Sequence, residues 1–356
     1  MILPSIKNIN VKGKRVILRV DFNVPVEKGK VEDDFRIKRT LPTIKFLKKK
    51  GARIILISHV TDGRTKSLKP MAQYLKVKFL PDKKIDLIKR KINKIKNGEV
   101  VLLENIRIHQ GEEKNDKKFA RQLAELGDIY INEAFSVSHR EHASIIGVTK
   151  YLPSYMGLLF EDELKNLSVV FKSKHPFLLI LGGIKFKTKL GVLNKFVAIA
   201  DKIFIGGALA NNFFKIQGKD VGESIIDESV DVGKYLGNKK IVLPIDVVFK
   251  NNKILDAGAK TIKLLSGLTK QSKFVLWNGP LGDFEKKGFE KGTQELAKLI
   301  ANSNTQSIIG GGDTVAAVRK FGIPLRKFSF VSTAGGAMLE FLAKGTLSGI
   351  KALERQ

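Results

Sequence analysis

The chain of 356 residues has no cysteine, so disulfides and thiolate metal sites are both excluded, and a reducing compartment is the simplest home for it. No apolar run approaches the roughly 20 residues of a membrane-spanning helix, and the opening "MILPSIKNINVKGKRV" lacks the apolar core of a signal peptide. A soluble cytoplasmic protein is expected. Acid is scarce: 35 Asp and Glu stand against 64 Lys and Arg, leaving a net charge of +29. The first hundred residues hold 27 of those bases and only 9 acids, which suits anionic substrates or a polyanion steered to that half. Aromatics make up only 8%, and few of them interleave the lysines, so nucleic acid is permitted but not required. Three phosphate-handling signatures are also missing: the P-loop, a G-x-G-x-x-G following a strand, and the protein-kinase catalytic motifs.

What is present reads as alternating strands and helices. "RVILRVDFNV", "ARIILISHV", "EVVLLENIRI" and "GDIYINEAF" are short β-branched runs, separated by helical or polar stretches such as 36–50 and 115–127. This alternation predicts a largely parallel sheet. The second half repeats it with glycine at the strand ends, in "FLLILGGIK", "KIFIGGALA", "SIIGGGDTV" and "FSFVSTAGGA". A size of 39.6 kDa favours two domains, and the apolar spacing of 155–171 predicts a helix between them. The expected division is therefore a first domain over 1–153, a connecting helix over 154–172 and a second domain over 173–342.

Ligands of parallel sheets bind beyond the carboxyl ends of the strands, where both halves place their chemistry. In the first half these positions carry Arg19, Asp21 and Asn23, then His59 and Arg64, Arg107 and His109, and His139, Arg140 and His142, while Arg36 opens a helix after "EDD". Each arginine alone could be a surface ion pair. As a group at one sheet edge they suit a small, multiply charged anion, because the guanidinium fork matches carboxylate and phosphate. His139 and His142 lack the partners that a metal pair needs. In the second half, Gly310, Gly311 and Gly312 lead to Asp313 and Thr314 at a predicted helix N-terminus, which is a phosphate-binding arrangement or a tight turn. Lys185, Lys187 and Lys189 could neutralise phosphate oxygens, and Glu285 could accept hydrogen bonds from a ribose.

Taken in order, "RVDFNVP", "DDFRI", "SH" with a following "GR", "LLENIRIHQGEEKND", "SHREHAS", "LGGIK", "WNGPLGDFE", "IIGGGDT" and "STAGGAMLE" resemble the phosphoglycerate kinase family across almost the whole chain. The resemblance implies two similar-sized α/β domains facing a cleft, each with a largely parallel, Rossmann-like sheet flanked by helices. It implies phosphoryl transfer from 1,3-bisphosphoglycerate to ADP, giving 3-phosphoglycerate and ATP, with Mg2+ as cofactor, by a monomer. Asp21, Asn23, Arg36, His59, Arg64, Arg107 and Arg140 would hold 3-phosphoglycerate. Gly182, Gly183, Lys185, Lys189, Gly206, Gly207, Asn278, Pro280, Glu285, Gly311, Gly312, Asp313 and Thr314 would hold the nucleotide, with Asp313 the metal ligand. Arg36, Lys185, Gly312 and Gly335 fall in the catalytic set, and the tail 343–356 would return to the first domain.

Several positions depart from the family pattern. Thr61 and Asp62 are extra, Glu141 follows Arg140, Thr188 precedes Lys189 where an aspartate is expected, and Ala334 replaces a glycine. A catalytically weakened relative acting as a scaffold, or a basic nucleic-acid-binding protein, are the alternative readings.

Overall fold

The computed structural model describes residues 3–61, 63, 65–184 and 186–354. It contains two compact units: one runs to Lys165 and takes in the chain from Thr346 onward, and the other is Asn166–Gly345. The division falls inside the helix Leu158–Ser168.

The first unit is built on a six-stranded parallel sheet in the order Lys78–Leu80, Val100–Leu103, Arg53–Ile57, Arg15–Arg19, Ile129–Asn132, Ser154–Met156. Its central strands are buried on both faces, because helices cover both sides of a parallel sheet, and this is why they read as unbroken apolar runs. Successive side chains point to opposite faces. Val16, Leu18, Ile54 and Leu56 therefore pack into one core layer, and Ile17, Ile55, Ile57 and Tyr130 into another. The expected helices over 36–50 and 115–127 form as Phe35–Lys49 and Lys117–Ala124, the latter capped by the Asp116 carboxylate on Phe119 N.

One element departs from expectation. Residues 154–156 are an edge strand and not the start of the connecting helix, which occupies Leu158–Ser168 and is followed by a 3-10 turn over Val169–Lys172. Backbone pairing decides this: Met156 N donates to Pro4 O (2.8 Å), Tyr130 N donates to Pro153 O (2.9 Å), and the glutamate at 133 leaves no room for a side chain at Gly157. The helix Ser348–Glu354 packs in the first unit, burying Ile350, Ala352 and Leu353, with Gly349 N donating to Ser138 O (2.7 Å).

The second unit has its own six-stranded parallel sheet: Ile241–Val242, Lys202–Ile205, Phe177–Leu181, Phe274–Asn278, Gln306–Gly310, Phe330–Val331. By order of appearance this is 3-2-1-4-5-6, the doubly wound arrangement of dinucleotide-binding sheets. The order in which strands are added to the sheet reverses between the parallel neighbours Phe177–Leu181 and Phe274–Asn278. Aromatic side chains fill the core, with Phe177 set edge-on to Phe274 (5.1 Å between centroids) and to Phe196 (5.9 Å), and Trp277 fully buried. Among the described residues no helix is long and apolar enough to cross a membrane.

Candidate functional site

In the first unit the strand ends bring a cluster of cations around one buried acid. Asp21, two residues beyond Arg15–Arg19, is buried, and its carboxylate accepts from Ser136 Oγ and from Asn23 N (3.0 Å) while Arg36 Nη1 stands 3.3 Å away. Burial pushes this carboxyl up, but Arg36, His59 and the hydrogen bonds outweigh it and hold Asp21 well below the usual carboxylate range. Arg36 also donates to Asn23 O (2.9 Å), so one anionic anchor orients the arginine at the start of its helix. The Asn23 side-chain oxygen accepts from Thr61 N (2.9 Å), which leaves its amide N–H groups available to a ligand. The extra residue Thr61 is thereby absorbed into the cluster, whereas Asp62 and Arg64 lie outside the described residues.

His59 is buried just beyond Arg53–Ile57. Ile106 N donates to Ser58 O (3.0 Å) and Asn105 Nδ2 to Val60 O (2.9 Å), which brings the turn carrying Arg107 alongside. Burial, together with Arg19, Arg107 and Arg140, holds His59 well below the usual histidine range despite Asp21, so the ring is neutral. His142 is held down to about 4 by burial and by Arg107 and Arg140. Arg107 itself is shifted down by burial and by Arg140; its Nη2 is buried without a hydrogen-bond partner, and its Nε is paired by charge with Glu113 (3.1 Å). Arg19, Arg107 and Arg140 repel one another, and although Asp21, Glu112 and Glu113 offset part of that charge, Arg107 is still shifted down, which favours an added anion there. His109, by contrast, stacks on Phe119 (4.9 Å) as a packing residue, and His139 and His142 belong to no cluster of three metal-ligating side chains among the described residues.

In the second unit the glycines carry distinct jobs. A Cβ on Gly182 would fall 2.2 Å from Pro280 O, and one on Gly207, at φ +58°, would fall 2.4 Å from Gly183 N. Gly183 N donates to Pro280 O (2.8 Å), so the ends of three strands close on one another backbone to backbone at the point where strand order reverses. A pocket of about 470 Å3 opens there, lined by Gly183, Gly207, Asn211, Pro280, Leu281, Phe284, Glu285 and Asp313. Glu285 is exposed on this pocket, and Gly206 N donates to Leu181 O (2.8 Å) at its back. Next to it is a narrow niche lined by Gly183, Lys189, Asn278, Gly311, Gly312, Asp313, Thr314 and Gly335.

The three consecutive glycines divide the work of that niche. At Gly310 a Cβ would lie 2.2 Å from Met338 Sδ, so packing demands its absence. Gly311 adopts φ +100° against Asn278, and Gly312 opens the helix Gly312–Lys320 with nothing within 4 Å of a Cβ. Asn278 Nδ2 donates to Gly310 O (2.8 Å) and Gly279 N to the buried Thr314 Oγ1 (2.7 Å), bracing the turn from within. Lys189 is buried on Phe186–Phe196, while Asp313 is exposed in the first turn of its helix. Lys185 lies outside the described residues. The departures are accommodated: Thr188 is exposed, Ala334 is buried and its carbonyl accepts from Gly311 N (3.0 Å), and Glu141 turns to accept from Ser348 Oγ (3.2 Å).

Sequence reading left out Asn211, Leu281 and Phe284 from the pocket wall and Glu112 and Ser144 from behind the cation cluster. The helical spacing of "GGALANN" after a strand was a signal for Asn211; the last pair is separated from its partners by too much chain to leave one.

The phosphoglycerate kinase family model matches residues 6–345. The chain is similar to the phosphoglycerate kinase of Pseudothermotoga lettingae, 42% identical with 98% of each chain covered, and to that of Borrelia garinii subsp. bavariensis, 42% identical over all of both. Among solved structures it is similar to phosphoglycerate kinase from Coxiella burnetii (TM-score 0.82, 33% identity, 99% of each chain) and from Pyrococcus horikoshii OT3 (TM-score 0.89, 29% identity, 99% of this chain and 98% of that one). With an arginine-rich cluster at the strand ends of one unit, a glycine-walled pocket and adjoining niche on the other, and relatives matched end to end, the chain belongs to the phosphoglycerate kinase family, phosphotransferases with a carboxyl group as acceptor that act on 3-phosphoglycerate and ATP.

Proposed function

We propose that the two pockets divide the substrates as follows. The first unit takes 3-phosphoglycerate through Asn23, Arg36, His59, Arg107 and Arg140, with Asp21 as internal anchor and Arg64 as a further cation. The second unit takes ADP or ATP, the base between Gly183, Gly207 and Pro280, the ribose at Glu285, and the phosphates in the niche of Gly311, Gly312, Asn278, Lys189 and Thr314, with Gly182 and Gly206 shaping the wall. Lys185 and Gly335 complete the phosphate end. The carrying observation is the continuity of the glycine-walled pocket with the niche at the switch point, since both include Gly183 and Asp313.

Among the described residues no three His, Cys, Asp or Glu side chains gather as a metal cage. A single exposed carboxylate, Asp313, beside a phosphate niche fits Mg2+, which takes one or two protein carboxylates and completes its shell with phosphates and water. Bound there on the nucleotide, Mg2+ would neutralise phosphate charge. The protein's own part is positioning and fixed positive charge: Arg36 and Lys185 supply cations where charge develops, and the N–H groups at Gly312 and Asp313 face the phosphate. The enzyme acts as a cytoplasmic monomer. Coupled measurement of ATP formation from 1,3-bisphosphoglycerate and ADP tests the activity, and calorimetric titration of 3-phosphoglycerate and Mg-ADP against Arg107→Ala and Gly207→Ala tests the division. Each substitution should weaken one ligand alone; loss of both ligands in either variant overturns the assignment.

A further inference from the structure

Arg19 lies inside the cation cluster yet is 1% exposed, too deep to serve chiefly as a ligand for a substrate. Its guanidinium is spent on protein: Nε donates to Ser144 Oγ (2.8 Å), Nη1 to Val20 O (2.5 Å), and Nη2 stands 3.3 Å from His59 Nδ1. Ser144 is itself fixed. Its Oγ donates to Glu112 Oε1 (2.5 Å), its N–H to Glu112 Oε2 (2.9 Å), and its carbonyl accepts from Tyr130 O–H (2.7 Å). Glu112 is fully buried and supplies the counter-charge that makes a buried guanidinium tolerable.

A guanidinium has only donors, so it can meet His59 Nδ1 only if that nitrogen presents its lone pair. The rival arrangement, a proton on Nδ1, would have to point at Asp21 Oδ1, which at 4.0 Å is beyond hydrogen-bond reach, and would set N–H against N–H at Arg19. We infer that Arg19, held by the Ser144–Glu112 pair, is a positioning residue that locks His59 in the Nε2–H tautomer, so that the ring offers a fixed neutral donor to an anionic oxygen of phosphoglycerate. This rests on the reading of His59 as a ligand of that substrate. A free imidazole would divide its proton between two nitrogens and rotate, and a charged one would repel Arg19. The relay removes both freedoms before substrate arrives, which is preorganisation.

The test is a long-range 15N–1H correlation spectrum of the full-length enzyme labelled at histidine, His59 being assigned by comparison with His59→Gln. At pH 7.5 the His59 ring should show the Nε2–H pattern. An Nδ1–H or imidazolium pattern overturns the inference. Arg19→Met should then spread the ring over both tautomers and raise KM for 3-phosphoglycerate roughly tenfold or more, the worth of one charge-assisted hydrogen bond, with KM for ATP within about twofold of wild type. A folded Arg19→Met whose His59 keeps a pure Nε2–H pattern refutes the locking role. Should that variant fail to fold because Glu112 loses its partner, Ser144→Ala and the double variant Arg19→Met with Glu112→Gln are read in the same way. Adding 3-phosphoglycerate to wild type separates the two layers: an Nε2–H ring whose signals do not move removes the ligand reading and with it the positioning role, while the tautomer assignment stands.

Discussion

Glu133 is a buried carboxyl whose ionisation the fold penalises heavily, and replacing it with glutamine should make the protein's stability less dependent on pH. It is 1% exposed, at the end of Ile129–Asn132 and beneath the first turn of Leu158–Ser168. Oε1 accepts from Thr43 Oγ1 and from Leu159 N (3.1 Å), whereas Oε2 is buried without a partner, against Gly157. Burial drives the group up to about 8, and the Thr43, Leu159 and Phe160 hydrogen bonds and Arg39 only partly offset it. Moving a carboxyl from 4.5 to about 8 corresponds to roughly 5 kcal/mol of penalty on the ionised form. The folded chain keeps this proton where the unfolded chain has lost it. Stability from this group is therefore intact below about pH 4.5, falls as pH rises, and is gone above about pH 8. Glu133→Gln keeps an acceptor for Thr43 and Leu159 and cannot ionise, though its amide N–H groups would take the unpartnered place of Oε2 at a cost of about 1–3 kcal/mol. The variant should thus be somewhat less stable than wild type at pH 5 and overtake it at pH 9, the difference changing by at least about 2 kcal/mol in the glutamine's favour. Urea midpoints at the two pH values measure it. Parallel pH dependences for the two proteins would refute the reasoning, because they would mean that Glu133 is ionised at no cost or is solvated.

Arg36→Ala should lower kcat by roughly 10³, the low end for an arginine finger, with much smaller changes in KM, and Arg36→Lys should recover little because it lacks the planar fork; a steep rise in KM for 3-phosphoglycerate with kcat nearly intact would make Arg36 a simple anchor. Asp313→Asn should shift the Mg2+ dependence of turnover to higher concentration, and an unchanged magnesium titration would remove Asp313 from the metal site. Gly207→Ala sets a Cβ 2.4 Å from Gly183 N at a positive φ, so the turn must move; KM for ADP should rise more than tenfold with 3-phosphoglycerate binding unaltered, and calorimetry on both ligands checks it.

The fold was legible where burial is two-sided. Ile54–Ile57 in "RIILI" and all five residues of "FLLIL" are apolar and buried with no polar face, because helices cover both sides of each sheet. Legibility failed at the edge. Ser154–Met156 has three residues, one of them polar and buried, and its extended form is set by partners at Pro4, Tyr130 and Asn132 that no local pattern can announce. Tyr155 and Met156 also fit the apolar helical spacing of 155–171, so periodicity alone drew the helix too far.

The site divides along a similar line. Most of the residues assigned to ligands lie at or just beyond strand ends, and strand ends are visible in sequence, so the arginines and the glycine runs can be gathered from it. Residues that aim those groups are not constrained to strand ends. Ser144 is 125 residues from Arg19 and 32 from Glu112, yet the three form one buried relay. Nor can sequence say why a glycine is there. "GGG" at 310–312 reads as one loose phosphate loop, but Gly310 is required by Met338 and Gly311 by its positive φ, which leaves only Gly312 in open space. A substitution series follows from that difference. Alanine at 312 leaves the turn intact and intrudes only on what occupies the niche, so it should weaken nucleotide phosphate binding at unchanged stability. Alanine at 310 meets a packed sulfur, so it should cost stability first; equal losses of stability at the two positions would refute the open space at Gly312, and a stable Gly312→Ala that binds nucleotide as tightly as wild type would show that this space is not a binding space.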